Sequence, residues 1–272
     1  MLGKLIKYEF KALYKKVLLC VAGGLLISIL TLLMFQLTAA SDGNNIMLQF
    51  FLSSGMIFSI LAMLAVSILT LVFIIHRFYT NLYSDEGYLT FTLPVSSSQL
   101  LWAKLISGAV WTIIAGIGVI ASFGILFVGI LETAGSYAGE DLLLYITTAF
   151  DYYFSLTGIE PGLFMAETII SMLVNVFYSM MIIYLCITLG SAIAARHKVL
   201  MAILLYFAIT IGISWVTGFV NIIITGISAN SFMGADDAYH IVTIINTLLY
   251  ICIFGAAFGI CKSIMNKRLN LA

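Results

Sequence analysis

Six long apolar runs constrain this chain more than any other feature of its sequence. They lie near residues 17–37, 49–75, 100–130, 168–194, 199–226 and 241–261. A helix of about 20 residues crosses the roughly 30 Å hydrocarbon layer of a bilayer, so each run predicts one membrane-spanning helix. Only 9% of the residues are charged, whereas soluble domains average roughly 25%. The chain is therefore predicted to be an all-α, polytopic membrane protein.

The distribution of charge predicts which side of the membrane each loop faces. With six spans both termini share a side, and all twelve Lys and Arg residues then fall on that side. Positive residues in short loops stay cytoplasmic, so the N- and C-termini are both expected inside. Most of the acids fall on the other side. A chain with five or seven spans would scatter the lysines across both faces, which makes six spans the economical interpretation.

Residues 1–16 form a basic amphipathic segment ahead of the remainder, 17–272, which we expect to be the six-span domain. Apolar residues recur at spacings of three and four, and the lysines follow another stripe: Leu2, Ile6, Phe10, Leu13 and Val17 against Lys4, Lys7, Lys11 and Lys15. This pattern predicts a helix in the membrane interface with its lysines toward anionic headgroups. A cleaved signal peptide is the alternative, but its apolar core is usually only about 7–15 residues long.

The most highly specified polar segment is the loop 76–99, which the charges place inside. Ser84 is predicted to cap a short helical turn, and an acidic pair follows it where the helix dipole favours negative charge. Pro94 prevents a helix from running through the loop. Ser96 and Gln99 have the spacing of a capping box, which predicts a fixed start for the third span. The loop therefore carries more local structure than a simple turn requires.

The largest segment expected outside is 131–167, which is acidic and rich in aromatic residues. Aromatic side chains favour the headgroup level of a membrane. We expect one or two short helices that lie on the outer leaflet or dip into it. A lid over a substrate path is the functional alternative.

Several kinds of chemistry have no motif in this chain. It contains neither a nucleotide-binding G-x-x-x-x-G-K-[ST] sequence nor the H-E-x-x-H and G-x-S-x-G motifs of hydrolases. The three histidines belong to different loops or span ends, and the four cysteines show no C-x-x-C spacing. We therefore expect no catalytic site, no metal and no cofactor on this chain.

The middle of each span is free of charged residues. This lowers the expectation of a proton- or ion-coupled carrier, although coupling through backbone carbonyls stays open. The polar residues within the spans are neutral, and those considered for a substrate path are Asn175, Ser179, Asn221 and Asn246. Helix packing is the alternative role for them, as it is for Gly255 and Gly259 in a G-x-x-x-G pattern. A path lined in this way would suit amphipathic or lipid-like cargo.

The order of these features resembles the permease subunits of bacterial type-2 ATP-binding-cassette (ABC) exporters. The resemblance covers the whole chain as an architecture, and its specific part is one stretch of the inner loop: Tyr83-Ser84-Asp85-Glu86-Gly87-Tyr88-Leu89-Thr90-Phe91-Thr92-Leu93-Pro94-Val95-Ser96. In one respect the chain departs from better-studied members of the broad class. Their main outer elements lie between the fifth and sixth spans, whereas here the long outer loop lies between the third and fourth.

The resemblance implies a coupling helix in the inner loop that rests on a separate ATPase subunit, which would bind ATP and Mg²⁺. Its contact residues would be Ser84, Asp85, Glu86, Gly87, Tyr88, Leu89, Phe91 and Leu93, and the surface helix would present Lys4, Lys7, Phe10 and Lys11. A second permease, identical or different, would complete the path in a bacterial cytoplasmic membrane. Lipids are the other expected partner, and nucleic acid is not one.

Two other functions stay open at this point. An immunity or assembly protein would bind a partner in the membrane without transporting anything. A self-sufficient secondary transporter or channel would carry its substrate without an ATPase. A peptide, a drug and a lipid-like molecule all fit a neutral path, so the sequence does not select the cargo.

Overall fold

The computed structural model describes residues 2–40, 46–84, 87, 95–133, 141–194, 196–230 and 235–267. Seven α-helices run through these residues, and the described part of the chain has no strand. They are α1 (Leu2–Ala40), α2 (Ile46–Tyr83), α3 (Ser97–Thr133), α4 (Asp141–Thr157), α5 (Pro161–Ile193), α6 (Lys198–Asn230) and α7 (Ala235–Lys267). All except α4 are long and apolar enough to cross a membrane. The predicted all-α, six-span architecture is confirmed, and the side that the termini face stays a prediction.

The basic segment and the first apolar run form one helix. The 39 residues of α1 continue past residue 16 without a break, and at 1.5 Å per residue the helix is about 58 Å long. Leu13 and Val17 are buried, whereas Lys7 and Lys11 are exposed, as the two stripes of the sequence predict. The position of the basic part in the membrane interface stays a prediction.

The segment 131–167 contains the expected short helix, α4, followed by the first turns of α5. Gly158 ends α4 with a φ of +72°, a backbone conformation that glycine adopts without strain. Its N–H donates to the carbonyl oxygen of Phe154 at 2.9 Å. Pro161 then opens α5 at a position where a helix has no use for a backbone N–H.

The chain divides into two compact units. The N-terminal unit contains Ile6–His76 and Val110–Ala149, and the C-terminal unit contains Met1–Leu5, Arg77–Ala109 and Phe150–Ala272. Helices α1, α2, α3 and α4 contribute residues to both.

Small and hydroxylated residues bring the helices of the N-terminal unit together. A Cβ atom on Gly24 of α1 would lie 2.9 Å from a methyl group of Val66 on α2, so a side chain there would force Val66 to shift. Thr31 joins the same helices, because its Oγ1 lies 2.7 Å from the Oγ of Ser59. Helix α3 comes equally close to α1 at Gly118. Close backbone approach of this kind is typical of helices that pack inside a membrane.

In the C-terminal unit, α5 and α7 are parallel neighbours. Four side-chain pairs join them in the same order along both helices: Glu167 with His240, Ser171 with Thr247, Tyr178 with Tyr250, and Thr188 with Cys261. Helix α6 lies between α5 and α7 in the sequence. It contacts α5 near the turn that connects α5 to α6. There a Cβ atom on Gly190 would lie 2.8 Å from the backbone nitrogen of Ala202.

Candidate functional site

The segment between α2 and α3 carries all the residues that are predicted to contact an ATPase subunit. The structure describes Ser84 and Gly87 in it, together with Val95 and Ser96 at its end. The other predicted contacts lie outside the described residues: Asp85, Glu86, Tyr88, Leu89, Phe91 and Leu93. The structure therefore describes how the two ends of this segment are held, and both ends belong to the C-terminal unit.

The end of α2 is tied to α5 and α7 by a buried chain of hydrogen bonds. The hydroxyl of Tyr83 donates to Thr188 Oγ1 at 2.8 Å, and Thr188 in turn donates to the carbonyl oxygen of Tyr184 at 2.7 Å. Cys261 Sγ lies 3.2 Å from the same Thr188 oxygen. Because the proton of Thr188 goes to Tyr184, its oxygen accepts from both Tyr83 and Cys261. One hydroxyl thus joins three helices.

An aromatic stack lies one turn earlier on α2. The rings of Phe78 and Tyr184 are nearly parallel, with centroids 3.9 Å apart, and both side chains are 1% exposed. The hydroxyl of Tyr184 donates to the carbonyl oxygen of Lys104 on α3 at 3.2 Å. The stack therefore excludes water from the place where α2, α3 and α5 meet.

Lys104 is buried at this junction. Its side chain is 3% exposed, and its Nζ donates to Asn81 Oδ1 at 2.8 Å. A buried ammonium group is costly without polar partners, so this bond favours one arrangement of α2 against α3. The sequence predicts Lys104 on the inner side but does not reveal its burial.

The start of α3 is fixed as the sequence predicts. Ser96 and Gln99 form a reciprocal capping box, in which each backbone N–H reaches the side-chain oxygen of the other at 3.4 Å. Ser97 then donates to Asn266 Oδ1 of α7 at 2.6 Å. The Trp102 ring lies 5.3 Å from that of Phe258, also on α7. We call the side chains that hold the two ends of the segment the loop anchor: Phe78, Asn81, Tyr83, Ser97, Lys104, Tyr184, Thr188 and Cys261.

Ser84 makes a hydrogen bond that the sequence does not predict. Its hydroxyl donates to the carbonyl oxygen of Thr80 at 2.6 Å, which ties it to the last turn of α2. The N–H of Gly87 donates to the backbone oxygen of Ser84 at 2.7 Å and not to its side chain. Serine hydroxyls often bond back to a carbonyl four residues earlier in this way. The expected side-chain cap is therefore not formed between Ser84 and Gly87.

The lysines and Phe10 of the predicted surface helix lie on different sides of that helix. Lys4, Lys7 and Lys11 are exposed. Phe10 is half-buried, and its ring lies 4.7 Å from that of Trp111 within the N-terminal unit. The apolar side of this segment is thus covered by protein, and its lysines stay accessible.

The four residues considered for a substrate path do not form one cluster. Asn246 of α7 donates to Asn221 Oδ1 of α6 at 2.9 Å, so this pair joins two helices. Asn175 is exposed on α5, and the hydroxyl of Ser179 donates to the carbonyl oxygen of Val176 at 3.0 Å. A path along these residues stays a prediction.

The glycines of α7 do not pack as the sequence suggests. A Cβ atom on Gly255 or Gly259 would have nothing within 4 Å, so this face contacts no other described helix of the chain. Among the described residues the G-x-x-x-G pattern does not pack against another helix, because α5 and α3 meet other faces of α7. Of the cysteines, Cys186 and Cys261 are buried, whereas Cys252 is exposed.

Most of the loop anchor could not be predicted from the sequence. Tyr83 and Thr188 are 105 positions apart, and nothing in their local pattern distinguishes them from interfacial or packing residues. Lys104 carries a signal, since a lysine inside a long apolar run needs a partner. The sequence likewise gives no sign that His240 pairs with Glu167, although its Nδ1 lies 2.7 Å from Glu167 Oε2. No protein-family model, curated protein or solved structure matches this chain.

Proposed function

We propose that this chain is the transmembrane permease subunit of an ABC exporter in a bacterial cytoplasmic membrane. It would move an amphipathic peptide, drug or lipid-like substrate outward, using ATP hydrolysed by a separate ATPase subunit. One observation carries the proposal. The 84–96 segment, whose sequence resembles a coupling helix, is tied at both ends to α5 and α7 by the loop anchor.

The attachment of both ends of the segment supports this role. A segment that transmits movement must be held more firmly at its ends than an ordinary connecting loop. Tyr83 fixes the end of α2 to α5, and Ser97 fixes the start of α3 to α7. Satisfied buried polar contacts of this kind favour a single geometry. A displacement of the segment would therefore move the membrane-spanning helices and would not be lost in movement of a flexible loop.

The proposed mechanism has three steps. ATP brings two partner ATPase subunits together, and the 84–96 segment moves with the subunit on which it rests. The loop anchor passes this movement to α3, α5 and α7. A second permease subunit, of the same or another sequence, provides the other wall of the path.

The acidic pair Asp85 and Glu86 provides the test. We expect the double reversal Asp85→Lys/Glu86→Lys to leave membrane insertion intact while removing the response of ATP hydrolysis to the transported substrate. The measurement compares the ATPase activity of complexes purified through a tag on this chain. The reversal Asp236→Lys/Asp237→Lys is the matched control, because it changes the same charges at the start of α7, which is expected on the opposite face.

Three results would contradict the proposal. In the first, the Asp85/Glu86 variant assembles and responds like the unaltered complex. In the second, an ATPase accompanies the chain but no substrate moves, as an immunity or assembly protein predicts. In the third, liposomes with this chain alone take up substrate along an ion gradient, as a secondary transporter predicts.

A further inference from the structure

A cavity of about 630 Å³ lies in the C-terminal unit where α5 turns into α6. Its lining combines Tyr79 of α2 with the Arg196–Leu200 turn and Ile203 of α6. The loop anchor does not include any of these residues. The proposed coupling mechanism does not use this cavity.

The rim of the cavity is basic and unneutralised. Arg196 and Lys198 have no hydrogen bond or ion pair with any described residue of the chain. His197 is exposed beside them. Helix α6 begins at Lys198, so its first backbone N–H groups add positive potential at the same place. The rim is therefore complementary to an anion.

The wall of the cavity is apolar and continuous with a helix whose apolar residues are largely exposed. Val199, Leu200 and Ile203 are 55%, 60% and 52% exposed. Only 6% of the most apolar window of α6 is buried within the protein. An occupant held at the basic rim would thus have an apolar surface beside it that leads along a membrane-spanning helix.

We propose that this cavity binds an anionic phospholipid. Arg196 and Lys198 hold the phosphate, the Tyr79 hydroxyl donates a further hydrogen bond, and an acyl chain lies along Val199, Leu200 and Ile203. Basic pockets between membrane helices on the cytoplasmic side commonly recognise such headgroups. An acidic protein partner would match the rim but would leave the apolar wall uncovered. The proposal requires membrane insertion with this turn at the headgroup level, and it does not depend on ABC transport.

Native mass spectrometry of the purified full chain in detergent provides the test. We expect phosphatidylglycerol to occupy one site at concentrations where phosphatidylcholine does not. Arg196→Gln/Lys198→Gln should weaken that first binding event on the order of tenfold or more, because each interfacial cation contributes substantially to anionic lipid binding. Lys7→Gln/Lys11→Gln removes the same charge from the predicted surface helix, so it should weaken only later and less selective lipid-binding events and leave the first event unchanged.

Two further measurements distinguish lipid binding in the cavity from attraction by charge alone. Ile203→Trp keeps every charge and fills the wall at an exposed helix position, so it should also weaken the first phosphatidylglycerol. Inorganic phosphate should compete only weakly, because it lacks an acyl chain. The proposal would be overturned if Lys7→Gln/Lys11→Gln weakened the first binding event as much as Arg196→Gln/Lys198→Gln does. It would also be overturned if Ile203→Trp had no effect on that event. Unchanged lipid binding in Arg196→Gln/Lys198→Gln together with loss of a copurifying ATPase would overturn it as well, because that result would assign the rim to a protein partner.

Discussion

At the scale of the residue, the hydroxyl of Thr188 holds the loop anchor together. It donates to Tyr184 and accepts from Tyr83 and Cys261, and the side chains of Thr188, Tyr184 and Cys261 are almost completely buried. In a membrane protein such bonds contribute modestly one at a time, on the order of 0.6 kcal/mol. Loss of one partner costs more when the other is left buried and unsatisfied.

A double-mutant cycle tests this bond. Tyr83→Phe and Thr188→Val should each lower the free energy of unfolding by about 1 kcal/mol, and the double variant should lose less than the sum because both break the same contact. The measurement is reversible unfolding in mixed micelles. Thr188→Ser keeps the hydroxyl and should preserve the coupling with Tyr83. Strict additivity of Tyr83→Phe and Thr188→Val would contradict the hydrogen bond.

The sequence predicts individual residues where the cause is local. Ser96 and Gln99 lie three positions apart, so their capping box follows from the chain itself. Tyr83 depends on a partner far along the chain, and Ser84 can bond backward or forward with similar ease. Local rules therefore predict the start of α3 but not the anchor beside it.

At the scale of the element, the contact between α5 and α6 depends on the absence of a side chain at Gly190. A Cβ atom there would lie 2.8 Å from the nitrogen and 2.9 Å from the Cα atom of Ala202, and backbone atoms have little room to move aside. The connection between the helices is short, and Ala194 still donates its N–H to the Gly190 carbonyl oxygen. The two helices are thus held closest at the turn that joins them.

Gly190→Ala should separate α5 from α6 and destabilise the protein by about 1–3 kcal/mol, the usual cost of overpacking. Thermal unfolding in detergent measures the effect. Gly212→Ala is the matched control on α6, since a Cβ atom there meets nothing within 4 Å. It should be neutral or slightly stabilising, because alanine favours helix. A Gly190→Ala protein as stable as Gly212→Ala would contradict the close approach.

The sequence also predicts the number of spans and their approximate positions, because apolar length alone determines them. It does not predict how far the helices continue beyond the apolar runs. Helix α2 extends from Ile46 to Tyr83, past the expected end at residue 75. Tertiary contacts of Phe78 and Tyr83 stabilise those added turns. Composition cannot reveal such contacts.

At the scale of the whole molecule, orientation in the membrane is the prediction on which the coupling role depends. Asp85→Cys should react with a membrane-impermeant maleimide only from the inner side, and Asp237→Cys only from the outer side. The experiment uses right-side-out and inverted vesicles. The unaltered chain is the control, since Cys186 and Cys261 are buried and the other two cysteines lie within membrane-spanning helices. Labelling of residue 85 from outside would end the coupling interpretation.

The chain reconstituted alone should be inert. In liposomes that contain only this protein, we expect neither proton nor sodium gradients to drive substrate uptake, because the spans carry no charged group near their centres. Fluorescent ion indicators inside the liposomes measure any flux. Addition of the copurifying ATPase and ATP should be necessary for movement of the substrate.

The pairing of α5 with α7 has a consequence for how the protein is made. Glu167, Ser171, Tyr178 and Thr188 emerge from the ribosome well before His240, Thr247, Tyr250 and Cys261, which partner them. Asn221 of α6 is likewise synthesised before its partner Asn246. A nascent chain halted after Asn230 would thus hold polar side chains in the bilayer without these partners. Completion of α7 therefore supplies the missing partners, and we expect chains that stop short of it to be less stable in the bilayer.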